Sequence, residues 1–388
     1  MVDLAPLPAW NRFARWPRLP ARLALAVLLV MFILSAITRI VSSEGVHTSL
    51  IAGGKVVLKD KHERDDDLKL YDRITDRLAR GESYYQAVAI EHRAAHYPLR
   101  PGLSVRLPTL AWIEAQLPPP ADPAKGGKVE ALIAAALLIA IMIAWWRRLG
   151  GEPGMRRLRP YAALALFAGA QIGTIGYFFV LHELWAGALL ALAMALHRPE
   201  QGKWQGALFA AAAALAIREH ALPFVLLMVA FAAWHRRWRE AAAWTALVLV
   251  FLAVMAWHLD IVAGLTRPDD PQGASWLTAR GLSGWMSMIV LSSNLRFLPT
   301  FLAGPLMILM LFGWAGWRSS LGAFATLLFL GYGLAFMIAG RPDNWYWGMT
   351  VAPAMWVGLA LVPMAAKGLW SAARGNSPLA TAPALEQT

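Results

Sequence analysis

Long, almost uncharged apolar runs recur along the whole sequence and limit its fold more than any other feature. The runs are rich in Leu and Ala, and 58% of the 388 residues are hydrophobic. Runs of this length indicate membrane-spanning helices rather than the core of a soluble domain. About ten candidate spans can be placed, at residues 23–39, 129–146, 160–174, 179–196, 204–218, 221–234, 241–258, 297–316, 320–339 and 349–366. The predicted fold class is an all-α polytopic membrane protein with about ten transmembrane helices.

Basic residues lie mainly beside the ends of these runs, as they do on the cytoplasmic side of membrane proteins. The clusters comprise Arg12, Arg15, Arg18, Arg22, Arg147, Arg148, Arg156, Arg157, Arg159, residues 197–203 and 235–239, Arg318, Lys367 and Arg374. All fall on one side if both termini are inside. We therefore predict a cytoplasmic basic N-terminus (1–22), a transmembrane domain (23–366) and a disordered cytoplasmic tail (367–388). This arrangement accounts for the net charge of +12, so no nucleic acid is expected as a partner.

Two long polar segments, residues 41–128 and 259–296, interrupt the apolar pattern and fall on the outer side. Other polar residues at the ends of spans are predicted on that side too. They are His182, Glu183, Arg218, Glu219, His220, Arg341, Asp343 and Asn344. Ionisable groups near membrane depth are costly and are commonly functional. Their convergence predicts a site at the outer side of the membrane that the chain spans.

The first polar segment carries its own helical signals. After Asp67, apolar residues recur at helical spacing as far as Gly81, so Asp67 is predicted as the N-cap and Gly81 as the C-terminal stop. Further helices are predicted from Ser83 and from Pro108. Amphipathic helices with Tyr and Trp suit the headgroup region, so the loop should lie on the membrane and frame a cleft.

Several common types of site are excluded or weak. The chain has no Cys, so a disulfide framework and a thiolate metal site or nucleophile are ruled out. No glycine pattern for a nucleotide-binding site is found. Asp65 and Asp66 are predicted as a solvated charge run, and the alternatives are that they assist Asp67 or bind a divalent metal through their oxygens. No metal ligands and no certain cofactor are predicted.

Several short strings resemble those of one family of membrane enzymes. They are Asp67-Leu-Lys-Leu-Tyr71, Gly81-Glu-Ser-Tyr-Tyr85, Tyr97-Pro98, Val105-Arg-Leu-Pro-Thr109, His182-Glu-Leu-Trp-Ala-Gly187, Ile217-Arg-Glu219 and Gly340-Arg-Pro-Asp-Asn-Trp-Tyr-Trp-Gly348. With the overall organisation, they resemble the GT-C glycosyltransferases, in particular bacterial members of the mannosyl- and arabinofuranosyl-transferase type. That family uses sugars linked to polyprenyl phosphate, and its members have a large first periplasmic loop of amphipathic helices with an essential carboxylate.

The resemblance implies a function and roles for individual residues. Asp67 would be the general base on the acceptor hydroxyl, and Arg106, Arg218 and Arg341 would bind the phosphate. The other substrate-binding candidates are Tyr71, Tyr85, His182, Glu183, Glu219, Asn344 and Trp345. The implied reaction moves a sugar from a polyprenyl-phosphate donor to an envelope glycan, lipid or protein acceptor. It would take place at the periplasmic face of the bacterial inner membrane.

Structural interpretations of the same residues remain open. Asp67 can serve as a helix cap, Arg218 and Glu219 as an ion pair, and Trp345 as part of an aromatic belt at the membrane interface. Two other functional classes are also open. One is a lipid or glycan transporter or flippase without covalent chemistry. The other is a non-catalytic scaffold that binds lipid-linked intermediates.

Overall fold

The computed structural model describes residues 9–41 and 66–375, and this part of the chain is helical without strands. Its helices are α1 (Arg18–Ile37), α2 (Asp66–Ala79), α3 (Tyr84–Ala94), α4 (Thr109–Glu114), α5 (Lys128–Gly150), α6 (Met155–Ala170), α7 (His182–Leu196), α8 (Gln205–Ile217), α9 (Leu222–Trp234), α10 (Trp238–Leu265), α11 (Gly281–Leu291), α12 (Thr300–Gly316), α13 (Ser320–Ile338), α14 (Ala352–Met355) and α15 (Val362–Arg374). Short 3₁₀ helices join several of them, among them Glu219–Ala221, Asn294–Phe297 and Pro342–Thr350.

Long apolar helices confirm the membrane-protein class. Within the described residues, five segments are long and apolar enough to cross a bilayer: Arg18–Ile37, Pro123–Gly150, Trp238–Leu265, Ser320–Ile338 and Ala352–Arg374. Shorter apolar helices pack among them. A helix such as α8, with 13 residues, is about 20 Å long, which is less than the hydrocarbon thickness of about 30 Å. The total of ten spans therefore stays a prediction.

The two ends of the helical bundle differ in their contacts. At one end, the N-terminal segment pairs with the turn after α12, where Arg12 N donates to Gly316 O and Arg318 N donates to Trp10 O, each at 2.8 Å. Arg18 reaches the carbonyl of Arg374 at the same end. We call this end the N-terminal side. The helices α2 to α4 lie at the opposite end, called here the loop side.

The helices of the first polar segment form a small core of their own. Leu70, Ile74 and Leu78 of α2 are buried against α3 and against the segment after it, and Val262 of α10 closes the cluster. The expectation that these helices lie with their apolar faces on the membrane therefore needs correction, since those faces pack mainly against each other. A smaller apolar surface, including Trp112 and Ile113, stays exposed.

The ends of α2 show where the helical signals were accurate. Gly81 has a φ of +88°, and the amides of Gly81 and Glu82 donate back to Leu78 and Arg77, which is a Schellman ending. At the other end α2 already begins at Asp66, so Asp67 lies in the first turn and is not the N-cap. Tertiary contacts hold its carboxylate instead. The second and third helices begin at Tyr84 and Thr109, within one residue of their predicted starts.

The second polar segment, 259–296, is only partly a loop. Helix α10 continues to Leu265, and residues 281–291 fold as α11, which is mostly buried against α13 and the 3₁₀ helix Pro342–Thr350. Between these helices the chain is fixed to the first polar segment. Arg93 forms a bidentate pair with Asp270, in which Nε donates to Oδ1 at 2.7 Å and Nη2 donates to Oδ2 at 2.9 Å. In addition, Gly273 N donates to Arg100 O at 2.6 Å. The two polar segments therefore form one unit on the loop side.

Parts of the predicted tail and of the first polar segment lie outside the described residues. Residues 367–374 of the predicted tail (367–388) fold as the C-terminal end of α15. Residues 376–388, and residues 42–65 of the first polar segment, including Asp65, lie outside the described part of the chain. The predicted spans from 129–146 to 320–339 each overlap one α-helix, although α10 extends seven residues beyond its predicted end. The last predicted span, 349–366, falls mainly on three elements, namely α14, the 3₁₀ helix Trp356–Leu361 and the start of α15.

Candidate functional site

A polar cavity of about 220 Å³ lies where the two polar segments meet the chain after α13. Five of the predicted site residues line it: Asp67, Tyr71, Arg106, Arg341 and Asn344. Residues that were not predicted also line it, among them His92, Tyr97, Trp276 and Tyr346. The cavity brings together residues almost 280 positions apart, so it is a product of the tertiary fold and not of one loop.

Two tyrosine hydroxyls hold the Asp67 carboxylate in this cavity. Tyr97 Oη donates to Oδ1, and Tyr346 Oη donates to Oδ2 at 3.1 Å. A carboxylate has about four acceptor positions, so each oxygen keeps capacity for a further hydrogen bond. Asp67 is therefore fixed in place and still able to accept a proton. Both partners stand in strings of the sequence analysis, Tyr97-Pro98 and Trp345-Tyr346-Trp347, but the sequence pattern does not link either tyrosine to Asp67.

Arg106 lines the same cavity and is rigidly supported. Tyr84 Oη donates to its carbonyl oxygen at 2.7 Å, and its Nε donates to Tyr71 Oη at 3.2 Å. Burial raises the pKa of the Tyr71 hydroxyl, so this phenol stays protonated at neutral pH. Among residues 9–41 and 66–375, no carboxylate forms a salt bridge with Arg106. Arg106 therefore brings to the cavity a positive charge that no described carboxylate contacts directly, while Glu183 and Glu219 act on it at longer range.

Arg218 is engaged differently. It is fully buried, and its guanidinium lies between two carboxylates, Glu183 at 2.7 Å and Glu219 beside it in the chain. The three groups carry a net charge of −1. Buried charges persist when they are paired, and here the pairing occupies the arginine that was predicted to bind phosphate. His182 packs near this group, with its ring 5.3 Å from that of Tyr71. His182, Glu183, Arg218 and Glu219 thus form the surroundings of the cavity and are not among its lining residues.

Arg341 lines the cavity but also has an acidic partner. Its Nε and Nη2 donate to the two oxygens of Asp343, at 3.2 and 2.9 Å, and Nη1 donates to Ala274 O. Asn344 accepts from the Arg341 amide at 3.1 Å and so closes the turn. These contacts give Arg341 and Asn344 a structural role in holding the turn. Of the three predicted phosphate ligands, Arg106 is the one without a carboxylate partner in the described chain.

Tyr85 and Trp345 lie away from the polar cavity. The ring of Trp345 packs against Phe178 with the centroids 5.8 Å apart. Tyr85 lines a separate apolar groove of about 300 Å³, where its hydroxyl lies 3.1 Å from His258 Nδ1. The rest of the groove comes from α4, α8 and α10 and the segment before α4: Leu107, Pro108, Thr109, Trp112, Ala212, Leu215, Ala216, Leu247, Val250, Phe251, Val254, Trp257 and His258.

One short segment separates the groove from the polar cavity. Ser104 and Arg106 line the cavity, whereas Leu107, Pro108 and Thr109 line the groove. Arg106 and Leu107 are consecutive, so the lining changes from charged to apolar within one residue. A molecule with an anionic head and a hydrocarbon chain matches this arrangement.

The described residues contain no group of three or more His, Asp or Glu side chains that could hold a metal ion. The metal alternative concerned Asp65 and Asp66. Asp65 lies outside the described residues, and the side chain of Asp66 is not among those described. A metal site at Asp65 and Asp66 therefore stays a prediction.

Acidification should destabilise the loop side through His92. This residue is 4% exposed, its Nδ1 lies 3.0 Å from Pro98 O, and burial lowers its pKa to about 4. An unfolded histidine titrates near pH 6.5, so between these values only the unfolded state takes up the proton. The contribution is fully present above pH 6.5 and falls by roughly 3 kcal/mol by pH 4. Thermal unfolding measured from pH 7 to 4 should show a smaller loss of stability for His92→Asn than for the wild type.

A second titrating group provides the control for that measurement. The hydrogen bond from Arg93 lowers the pKa of Asp270 to about 2, so its contribution is constant above about pH 4 and is lost as pH falls towards 2. Asp270→Asn should therefore leave the slope of stability against pH between pH 7 and 4 the same as in the wild type. Equal slopes for the wild type and His92→Asn would contradict the assignment to His92.

No protein-family model matches this chain, and comparison with curated proteins and with solved structures gives no match. Any functional assignment therefore depends on the chemistry of the cavity and the groove.

Proposed function

We propose that this protein is a membrane glycosyltransferase that moves a sugar from a polyprenyl-phosphate donor to an envelope glycan, lipid or protein acceptor. One observation carries the proposal. A polar cavity with a fixed carboxylate and an unpaired arginine shares its wall with an apolar groove, and the lining changes between Arg106 and Leu107. A lipid-linked phosphate sugar has the matching sequence of parts: a hydrocarbon chain, a phosphate and a polar sugar.

The proposed reaction assigns one step to each of two residues. The acceptor hydroxyl gives its proton to Asp67 as its oxygen attacks the anomeric carbon. The bond from that carbon to the phosphate oxygen breaks, and its electron pair leaves with the polyprenyl phosphate. Negative charge grows on the phosphate, and the fixed cation of Arg106 stabilises it. Inversion at the anomeric carbon is what the GT-C resemblance implies.

Surrounding residues would position these two groups. Tyr97 and Tyr346 hold the Asp67 carboxylate, while Tyr71 and Tyr84 hold Arg106. The proposal places the cavity on the periplasmic side of a bacterial inner membrane. The distribution of basic residues supports that orientation, since the contacts of Arg12, Arg18 and Arg318 lie at the opposite end of the bundle.

Blocking the apolar groove tests the proposal directly. Ala212→Trp and Ala216→Trp would fill it from α8, because both residues line it. We expect KM for a long-chain polyprenyl-phosphate sugar to rise roughly tenfold or more, since part of the apolar contact is lost. A donor analogue with a very short chain should be affected much less.

Ala213→Trp is the matched control, since Ala213 is exposed on the same helix and does not line the groove. Absence of sugar transfer from every polyprenyl-phosphate donor, with lipid movement across vesicles instead, would replace the proposal by a transporter. Binding without transfer or transport would favour a scaffold. Equal effects on long-chain and short-chain donors would show that the groove does not bind the hydrocarbon chain of the donor.

A further inference from the structure

A second arginine on the loop side lies outside the polar cavity and also has no acidic partner in the described chain. Arg296 belongs to the 3₁₀ helix Asn294–Phe297, between α11 and α12. Its Cζ lies 4.8 Å from the centroid of the Trp345 ring and 5.6 Å from that of Phe178. Its Nε and Nη2 are buried and have no hydrogen-bond partner among the described residues.

This environment is unusual for a guanidinium group. Buried charges in proteins are normally paired or hydrogen-bonded, because loss of hydration is otherwise uncompensated. Two aromatic rings contribute cation–π attraction, but they leave the N–H donors of Arg296 unused. These two atoms are out of reach of an external ligand, but Arg296 as a whole is only partly buried, so an anion that approaches its Nη1 can compensate the charge.

The residues that follow Arg296 indicate where such an anion comes from. Phe297 is 67% exposed, Phe301 60% and Leu302 45%, so a large apolar surface adjoins the arginine. Arg296 precedes the first residue of α12, and α12 ends at Gly316 on the N-terminal side. The cation thus lies near the loop-side end of an apolar helix, which corresponds to headgroup depth in a bilayer.

We propose that Arg296 binds the phosphate of a membrane phospholipid in the leaflet on the loop side. Arginine suits this ligand because its planar fork can donate two hydrogen bonds to phosphate oxygens. The acyl chains would lie along the exposed side chains of Phe297, Phe301 and Leu302. The site is separate from the apolar groove, which is lined by α4, α8 and α10.

Occupancy of this site has a consequence for the cavity. Trp345, which contacts Arg296, is followed directly by Tyr346, whose hydroxyl donates to Asp67. A phospholipid that fixes Arg296 against Trp345 also restrains the segment that holds the carboxylate. Binding should therefore raise thermal stability, whatever reaction the cavity performs.

The test uses full-length protein in a maltoside detergent, with phosphatidylglycerol and diacylglycerol of the same acyl chains as probes. Native mass spectrometry should show phosphatidylglycerol adducts on the wild type, and Tm should rise by a few degrees. Diacylglycerol should do neither. Arg296→Gln should need at least tenfold more phosphatidylglycerol for the same occupancy, whereas Arg296→Lys should keep part of the binding.

Arg80→Gln is the control, since Arg80 is an exposed arginine on the loop side with a side chain 62% accessible. It should bind phosphatidylglycerol like the wild type.

Equal binding of both lipids by the wild type would overturn the proposal even if Arg296→Gln fails to fold. Unchanged phosphatidylglycerol binding in Arg296→Gln would also overturn it. So would displacement of the phospholipid by polyprenyl phosphate in a manner that depends on Arg296, because the site would then belong to the substrate. No arm requires sugar transfer, so failure here is distinct from failure of the proposed function.

Discussion

Asp67→Asn should reduce sugar transfer by about 10² to 10⁴-fold while leaving the fold and the binding of the donor largely intact. An amide has nearly the shape of a carboxylate, but it cannot accept the proton of the attacking hydroxyl. Its oxygen can still accept from one tyrosine, and the other hydroxyl can turn to accept from the amide nitrogen. Tyr97 and Tyr346 would thus keep contact with residue 67. The loss should therefore appear in kcat, with little change in KM for the donor.

Initial rates with saturating donor, together with Tm in detergent, measure this effect. Asp76→Asn is a suitable control because Asp76 is an exposed carboxylate on the same helix, α2, and does not line the polar cavity. It should retain full activity. An Asp67→Asn protein that turns over like the wild type would remove Asp67 as the base. Asp343 would then be the next candidate, since it is the other carboxylate that lines the cavity and its side chain is 41% accessible.

The sequence alone predicted the helices well because each helix is a local property of the apolar pattern. The bounds of α7, α8 and α9 fall within a few residues of the predicted spans. The left-handed glycine after α2 was likewise readable, since Gly81 occupies a conformation that other residues avoid. The prediction failed where residues distant in the sequence determine what a helix face contacts. The apolar face of α2 looked suited to a membrane surface, yet the fold supplies α3 and Val262 to cover it.

The three arginines predicted to bind phosphate also show that contacts between distant residues cannot be predicted from the sequence pattern. In the sequence, Arg106, Arg218 and Arg341 look equivalent, as cations on one face of the membrane. Glu219 and Asp343 lie close enough in the chain to suggest pairing, but Glu183 comes from a different helix. The sequence could not show that Arg106 forms no salt bridge with a described carboxylate, because this depends on every residue that the fold brings near. Pairing thus separates one candidate phosphate ligand from two structural ion pairs.

Arg106→Gln should therefore lower kcat/KM for the donor by about 10² to 10³-fold, as expected for loss of one fixed cation at a developing phosphate charge. Nε already donates to Tyr71, so the Nη groups are the donors that remain for phosphate oxygens. Glutamine keeps hydrogen-bonding capacity without charge, and the backbone contact from Tyr84 is unaffected by the change. Affinity for free polyprenyl phosphate should fall in parallel, and Arg106→Lys should recover part of both.

Arg341→Gln provides the matched comparison in the same cavity. Asp343 already neutralises this arginine, so its removal changes the local net charge but takes no unpaired cation from the site. We expect a change of only a few-fold in kcat/KM, with a modest loss of Tm from the broken contact to Ala274. Equal losses in Arg106→Gln and Arg341→Gln would mean that salt-bridge partners do not decide which arginine meets the phosphate. A large loss in Arg341→Gln alone would place the phosphate beside residues 341–344, because the ion pair with Asp343 would then have to open when the donor binds.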